Sequence, residues 1–151
     1  MTLEERLDAD LKEAMRSGDS VRKLAIRAVK TSITEARVSG TEQRPITDED
    51  VLRILQKQVK QRRDSVAEFT KGGRPDLVAK EQAEIAVLEK YLPQQMGEDE
   101  IRARAEAVIA ELAVSDQKGM GSVMKRLTAD LRGRADGSIV SRIVRELLAG
   151  Q

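Results

Sequence analysis

The chemistry of this chain is concentrated between Lys118 and Gly137, read as KGMGSVMKRLTADLRGRADG. A Gly-Met-Gly entry to a helix can present backbone N–H groups to a phosphate. The stretch lacks the Gly-Lys-Ser/Thr ending of a nucleotide-binding loop, so it is no Walker motif. The other reading of these glycines is tight turning and close helix approach. Lys125, Arg132 and Arg134 flank the turn and could converge on a phosphate backbone. Arg142 and Arg145 lie three residues apart on the following helix and can converge with each other. The candidate RNA-binding residues are therefore Lys125, Arg132, Arg134 and Arg142. Gly121, Gly133, Asp136 and Gly137 are expected to shape the turn. A solvated, functionally silent helical face is the competing reading of the same cations.

Other chemistries find little support. Asp48-Glu49-Asp50 and Glu98-Asp99-Glu100 could do acid–base work, but both stand where helix N-termini favour acids. Asp136 before Gly137-Ser138 reads as turn and cap chemistry. The chain has no cysteine and no histidine. That removes disulfides, thiolate nucleophiles, Cys/His zinc sites and the usual proton shuttle at neutral pH. A Ser–Lys dyad is formally available, but no spacing singles one out. No catalytic residue, metal ligand or cofactor motif is expected.

Net charge is only +1. Its distribution is uneven: residues 118–151 hold seven Lys or Arg and three Asp or Glu, a local +4, which leaves −3 for residues 1–117. A basic segment on a near-neutral chain suits a polyanionic partner. Phe69 and Tyr91 are the only aromatic residues, so no multi-base stacking platform is available. Structured RNA read through phosphates and shape needs none.

These residues must be positioned by helices. With so few aromatics the core must be aliphatic, and the chain is 35% charged, a mix that favours helix over strand. Thr2 and Glu5 suggest a capping box ahead of the stripe Leu3, Leu7, Leu11 and Met15, closed by Gly18. A second helix, from about Ser20 to Ser39, shows the stripe Val21, Leu24, Ala25, Ala28, Val29, Ile33 and Ala36. Gly40–Pro45 reads as a loop. A third helix, capped by Thr47 and Asp50, runs to about Lys71 with Val51, Leu52, Leu55, Val59, Val66 and Phe69 inward. Its basic run Lys57–Arg63 is read mainly as a solvated face, with Lys60 set against Asp64. Gly72-Gly73 breaks it. Pro75–Tyr91 forms a fourth helix with Leu77, Ala83, Ile85, Leu88 and Leu92 as its buried set. Pro93 marks the lobe boundary.

A fifth helix starts at Glu98-Asp99-Glu100 and turns Ile101, Ala105, Val108, Ile109 and Leu112 inward. Val114–Lys118 is a connector. The sixth, Met120–Leu131, buries Met120, Val123, Met124, Leu127 and Leu131. The seventh starts at Ser138 and buries Ile139, Val140, Ile143, Val144, Leu147 and Leu148. The expected architecture is all-α: a four-helix N-terminal lobe over 1–93, then a small three-helix lobe over 97–151. No stretch resembles a signal peptide or a membrane span, which predicts a cytoplasmic protein with no membrane partner.

At this level the chain resembles the small bacterial YqeY proteins from end to end. The matching stretches are Val21–Ile33 (VRKLAIRAVKTSI), Gln58–Phe69 (QVKQRRDSVAEF), Gly73–Leu77 (GRPDL), Glu81–Met96 (EQAEIAVLEKYLPQQM) and Met120–Leu148. The second lobe is similar to the tail domain of GatB, a subunit of the tRNA-dependent glutamyl/aspartyl-tRNA amidotransferase. The motif that matches is Gly121, Val123, Met124 and Lys125, then Gly133, Arg134, Ala135 and Asp136, then Val140 and Val144. That subunit has a shorter join before its glycine turn and commonly Asn-Pro where this chain has Asp136-Gly137. The resemblance implies a two-lobe helical fold and a tail that holds the tRNA body. It therefore suggests a non-catalytic, tRNA-associated accessory protein whose partner is tRNA or another structured RNA. A protein-interaction module that binds a translation enzyme is the second expectation. A component linked to carbon–nitrogen ligation with glutamine as amide donor is the third, though no residues here would liberate ammonia or activate a carboxylate.

Overall fold

A computed structural model describes residues 1–39 and 45–150. Among them the chain forms seven α-helices and no strand: α1 (Leu3–Ser17), α2 (Ser20–Ser39), α3 (Asp48–Lys71), α4 (Pro75–Glu89), α5 (Glu98–Glu111), α6 (Met120–Asp130) and α7 (Gly137–Ala149). The all-α expectation holds. The loop expected at Gly40–Pro45 lies, apart from Pro45, outside the described residues. The chain divides into two compact units, Met1–Leu92 and Pro93–Gln151.

In the first unit the helix ends follow local chemistry. The Thr2 hydroxyl accepts the Glu5 N–H at 3.1 Å. Gly18 ends α1 in the left-handed region at φ +72°, where glycine carries no Cβ penalty. Thr47 and Asp50 form a reciprocal capping box at the start of α3. Pro75 opens α4, its missing N–H costing nothing in a first turn. Leu7, Ala25, Ile26, Val29, Ile33, Val51, Leu55, Val59, Leu88 and Tyr91 form the core.

Several expectations change here, among them Ala36, which is exposed. Val21 and Leu24 are 38% and 48% exposed, and Ile26 is buried in their stead. The reason is tertiary: α2 packs against α1, α3 and α4, which centres its buried arc on Ile26, Val29 and Ile33. Met15, expected inward, is 54% exposed. Finally, α4 stops at Glu89, and Tyr91 and Leu92 continue only as a turn before Pro93. Tyr91 is nonetheless buried; its hydroxyl donates to Asp10, and the Arg6 guanidinium lies 4.6 Å from the ring centroid.

The second unit has its own aliphatic core: Ile101, Ala105, Val108 and Ile109 from α5, Val123 and Leu127 from α6, Leu131, and Val140, Ile143, Val144 and Leu148 from α7. Leu112, expected inside, caps the end of α5 and is 38% exposed. The connector to α6 contains a 3-10 turn, Gln117–Gly119, which apolar periodicity could not show. α7 starts one residue earlier than expected, at Gly137, with Asp136 as its cap.

Candidate nucleic-acid interface

The α6–α7 turn is built around three backbone requirements. Leu131 donates its N–H to the Leu127 carbonyl at 2.8 Å and closes α6 with a buried side chain. Gly133 takes φ +76°, a region that costs an L-residue roughly 1–2 kcal/mol. Asp136 then accepts both the N–H and the hydroxyl of Ser138 at 2.8 Å and launches α7.

A second strand of chain braces this turn. Gln95 Nε2 donates to the Gly133 carbonyl at 2.7 Å, and the Met96 N–H to the Arg134 carbonyl at 2.9 Å. Arg134 reciprocates, its Nε donating to the Gln94 carbonyl at 3.2 Å. Helical periodicity assigns Gln94, Gln95 and Met96, beyond Pro93, no part in the turn. Their partners lie nearly forty residues away in sequence, so no local pattern reveals them.

The glycines divide by role. An added Cβ at Gly121 or Gly137 would meet nothing within 4 Å, whereas one at Gly119 would stand 2.2 Å from Val114 Cγ1. Close approach therefore falls on Gly119, and a positive φ on Gly133.

The cations divide as well. Arg132 and Arg134 share the turn, Arg132 exposed and Arg134 half-buried. Lys125 is exposed on α6 and has no ionic partner among the described residues. Arg142 is committed elsewhere: it reaches Glu98 at 2.5 Å and Glu146 at 3.1 Å. Its hydrogen bond to Glu146, and then the charge of Glu98, raise its pKa further. Glu146 in turn sits below the usual carboxylate range, first because of its hydrogen bond from Arg102 and then that from Arg142. Arg126 pairs with Glu111 and Asp130 at 3.0 and 3.2 Å. Arg145 donates to the Ser141 hydroxyl at 3.3 Å.

In the first unit, the Lys57–Arg63 run is drawn partly onto α4. Arg63 reaches Glu89 at 2.5 Å. Arg62 lies 3.5 Å from Glu84, the one charged residue in the described part of the chain that is classed as buried. Arg62 also donates to Gln58 Oε1 at 2.6 Å, and Gln58 Nε2 donates to the Ser32 hydroxyl at 2.8 Å.

Beside the turn, Met96, Ala103, Leu131, Glu100, Arg104, Asp130 and Arg134 line an open depression of about 450 Å³. Among the described residues no group of three or more His, Cys, Asp or Glu is placed to hold a metal ion. Among the described residues no helix is long and apolar enough to cross a membrane.

Residues 4–148 match the family model described as Yqey-like protein. The chain is similar to a protein of Pyrenophora tritici-repentis named "Altered inheritance of mitochondria protein 41, mitochondrial", with 36% identity over 97% of this chain and 81% of that one. Proteins of the same name from Kluyveromyces lactis and Eremothecium gossypii are 40% and 38% identical over 73% and 70% of this chain, which spans 60% and 58% of their lengths. The cytoplasmic address expected from the sequence is corrected by these relatives, each of which is named as mitochondrial. The absence of a membrane-spanning helix bears on crossing a bilayer and not on the compartment in which a helical protein resides. The match across nearly the whole length, in a fold of the expected class, establishes that the chain belongs to the Yqey-like protein family.

Proposed function

We propose that this protein is a non-catalytic accessory factor that associates with tRNA through the α6–α7 turn of its second unit. The observation that carries this reading is Lys125, an exposed cation without an ionic partner among the described residues, on the helix that leads into the turn bearing Arg132 and Arg134. A cation already neutralised by carboxylates has less to offer a phosphate, so Arg142, held by Glu98 and Glu146, leaves the contact set. The braced turn supports the same role, because a fixed backbone holds its side chains ready without an ordering cost. The likeness of the second unit to the amidotransferase tail points to the same ligand, as analogy of fold. Phosphate contacts of this kind give affinity and orientation with little base readout.

The test is a titration of labelled tRNA at several salt concentrations. With about three phosphates engaged, log affinity should fall with log salt at a slope of roughly −2 to −3. Changing Lys125, Arg132 and Arg134 together to alanine should flatten most of that slope. No binding at low salt, or an unchanged slope in the triple variant, refutes the proposal.

A further inference from the structure

We infer that the depression beside the turn is a subsite for one unstacked guanine of a folded RNA. This deepens the tRNA reading and rests on it. Met96, Ala103 and Leu131 give the depression an apolar lining, suited to the faces of a flat base. Its volume of about 450 Å³ falls within the usual range of small-ligand sites, roughly 300–1,000 Å³.

The polar groups around that lining are unevenly used. Glu100 is exposed in the first turn of α5 and has no partner among the described residues. Arg134 spends its Nε on the Gln94 carbonyl, and its two terminal nitrogens have no protein acceptor among the described residues. Arg104 reaches Asp130 only at 3.8 Å, beyond hydrogen-bond length. Asp130 is already held by Arg126 at 3.2 Å. One open carboxylate and two largely open guanidinium groups therefore line one hollow.

A carboxylate beside a bare phosphate would repel it, so Glu100 disfavours a backbone ligand here. A carboxylate accepts hydrogen bonds and cannot donate. Guanine is the base with two adjacent donors, N1–H and the N2 amino group, on one edge. Its O6 and N7 acceptors match an arginine fork, here that of Arg104, which leaves Arg134 to the phosphates. Adenine, cytosine and uracil each offer one donor group beside a ring acceptor or carbonyl, and so would leave one oxygen of Glu100 facing an acceptor. Guanidinium planes also stack on unpaired RNA bases.

The experiment has two arms on the full chain. In the first, isotope-labelled protein is titrated with GMP, AMP, CMP and UMP, and amide shifts are followed at Met96, Ala103 and Leu131. GMP should shift them at concentrations about tenfold below the other three, the discrimination one good bidentate base contact supplies. Glu100→Gln, an exposed change whose fold is checked by circular dichroism, puts an amide donor against guanine's donors and should abolish that preference. In the second arm, Glu100→Gln should weaken tRNA binding about tenfold with an unchanged salt slope, because it removes a base contact and no phosphate contact. Lys125→Ala should instead flatten the slope.

Equal response to all four nucleotides, or a Glu100→Gln variant that behaves as wild type towards both ligands, overturns the guanine subsite. The tRNA reading then survives if the wild-type slope is intact. Guanine selectivity that depends on Glu100 supports the subsite even where tRNA fails to bind, and in that case only the tRNA reading falls.

Discussion

Gly119→Ala should destabilise the second unit, and the cause should be one side chain. Gly119 has φ −85°, which any residue adopts, so the backbone raises no objection. Glycine replacement at such a site ordinarily stabilises by about 0.4–1 kcal/mol through the unfolded chain. Here the new Cβ would lie 2.2 Å from Val114 Cγ1 and 2.7 Å from Cγ2, against a comfortable carbon–carbon separation of roughly 3.5–4.0 Å. Either Val114 or the entry to α6 must move by more than an ångström. Overpacking of this kind costs about 1–3 kcal/mol, so the clash outweighs the entropy gain and leaves a net loss of about 1–2 kcal/mol. In a unit of this size that is a fall in Tm of roughly 4–16 °C, at about 4–8 °C per kcal/mol. Val114→Ala removes both clashing methyls and leaves only Val114 Cβ, at 3.0 Å. In that background Gly119→Ala should become nearly neutral, which gives a coupling of about 1–2 kcal/mol in a double-mutant cycle measured by urea unfolding. Additive effects of the two changes would refute the steric account.

Three further outcomes follow from the same geometry. Gly133→Ala, at φ +76°, should lose roughly 1–2 kcal/mol, while Gly121→Ala, in open space within α6, should gain up to about 1 kcal/mol from helix propensity; chemical denaturation distinguishes them. Arg62→Leu strands the buried Glu84 carboxylate and should cost about 3 kcal/mol or more, whereas Arg62→Leu with Glu84→Leu should recover most of it, as read from unfolding midpoints. Glu146 is held below its ordinary value of 4.5 by Arg102 and Arg142, so its contribution is complete above that value and is lost as pH falls through the lower folded-state pKa. An acid titration of stability should therefore drop below about pH 4.5, less so in Glu146→Gln and less so at high salt.

The helices themselves were legible in the sequence because their signals are local. Thr47 with Asp50, Pro75 and Gly18 act within one turn of chain, and they stand where they were expected to cap, start and stop helices. The apolar stripes of α5, α6 and α7 were nearly complete for the same reason, since three helices around one core each bury a single arc. α2 was read less well. It packs against three helices, and the arc that wins contains Ile26 and leaves Leu24 in water. Spacing alone cannot choose between adjacent arcs of one helix.

Charge was the least legible property. A count of +4 over residues 118–151 treats Arg142, Arg126 and Lys125 alike. Folding gives the first two carboxylate partners from α5 and leaves the third without one among the described residues. Each of the two also has a carboxylate one turn along its own helix, Glu146 and Asp130, but Glu98 and Glu111 lie outside the basic segment altogether.

From the sequence alone came the helical class, the aliphatic character of the cores, the exclusion of cysteine and histidine chemistry, and a glycine turn dressed with arginine. Each depends on residue type or on neighbours within a turn of helix. Only the tertiary structure decided that Gln94–Met96 braces the turn, that Gly119 and not Gly121 is sterically required, and which cations carry partners. The brace and the ion pairs between helices rest on residues distant in sequence, and the Gly119 contact on the path the connector takes back over Val114; both exist only once the chain has closed on itself.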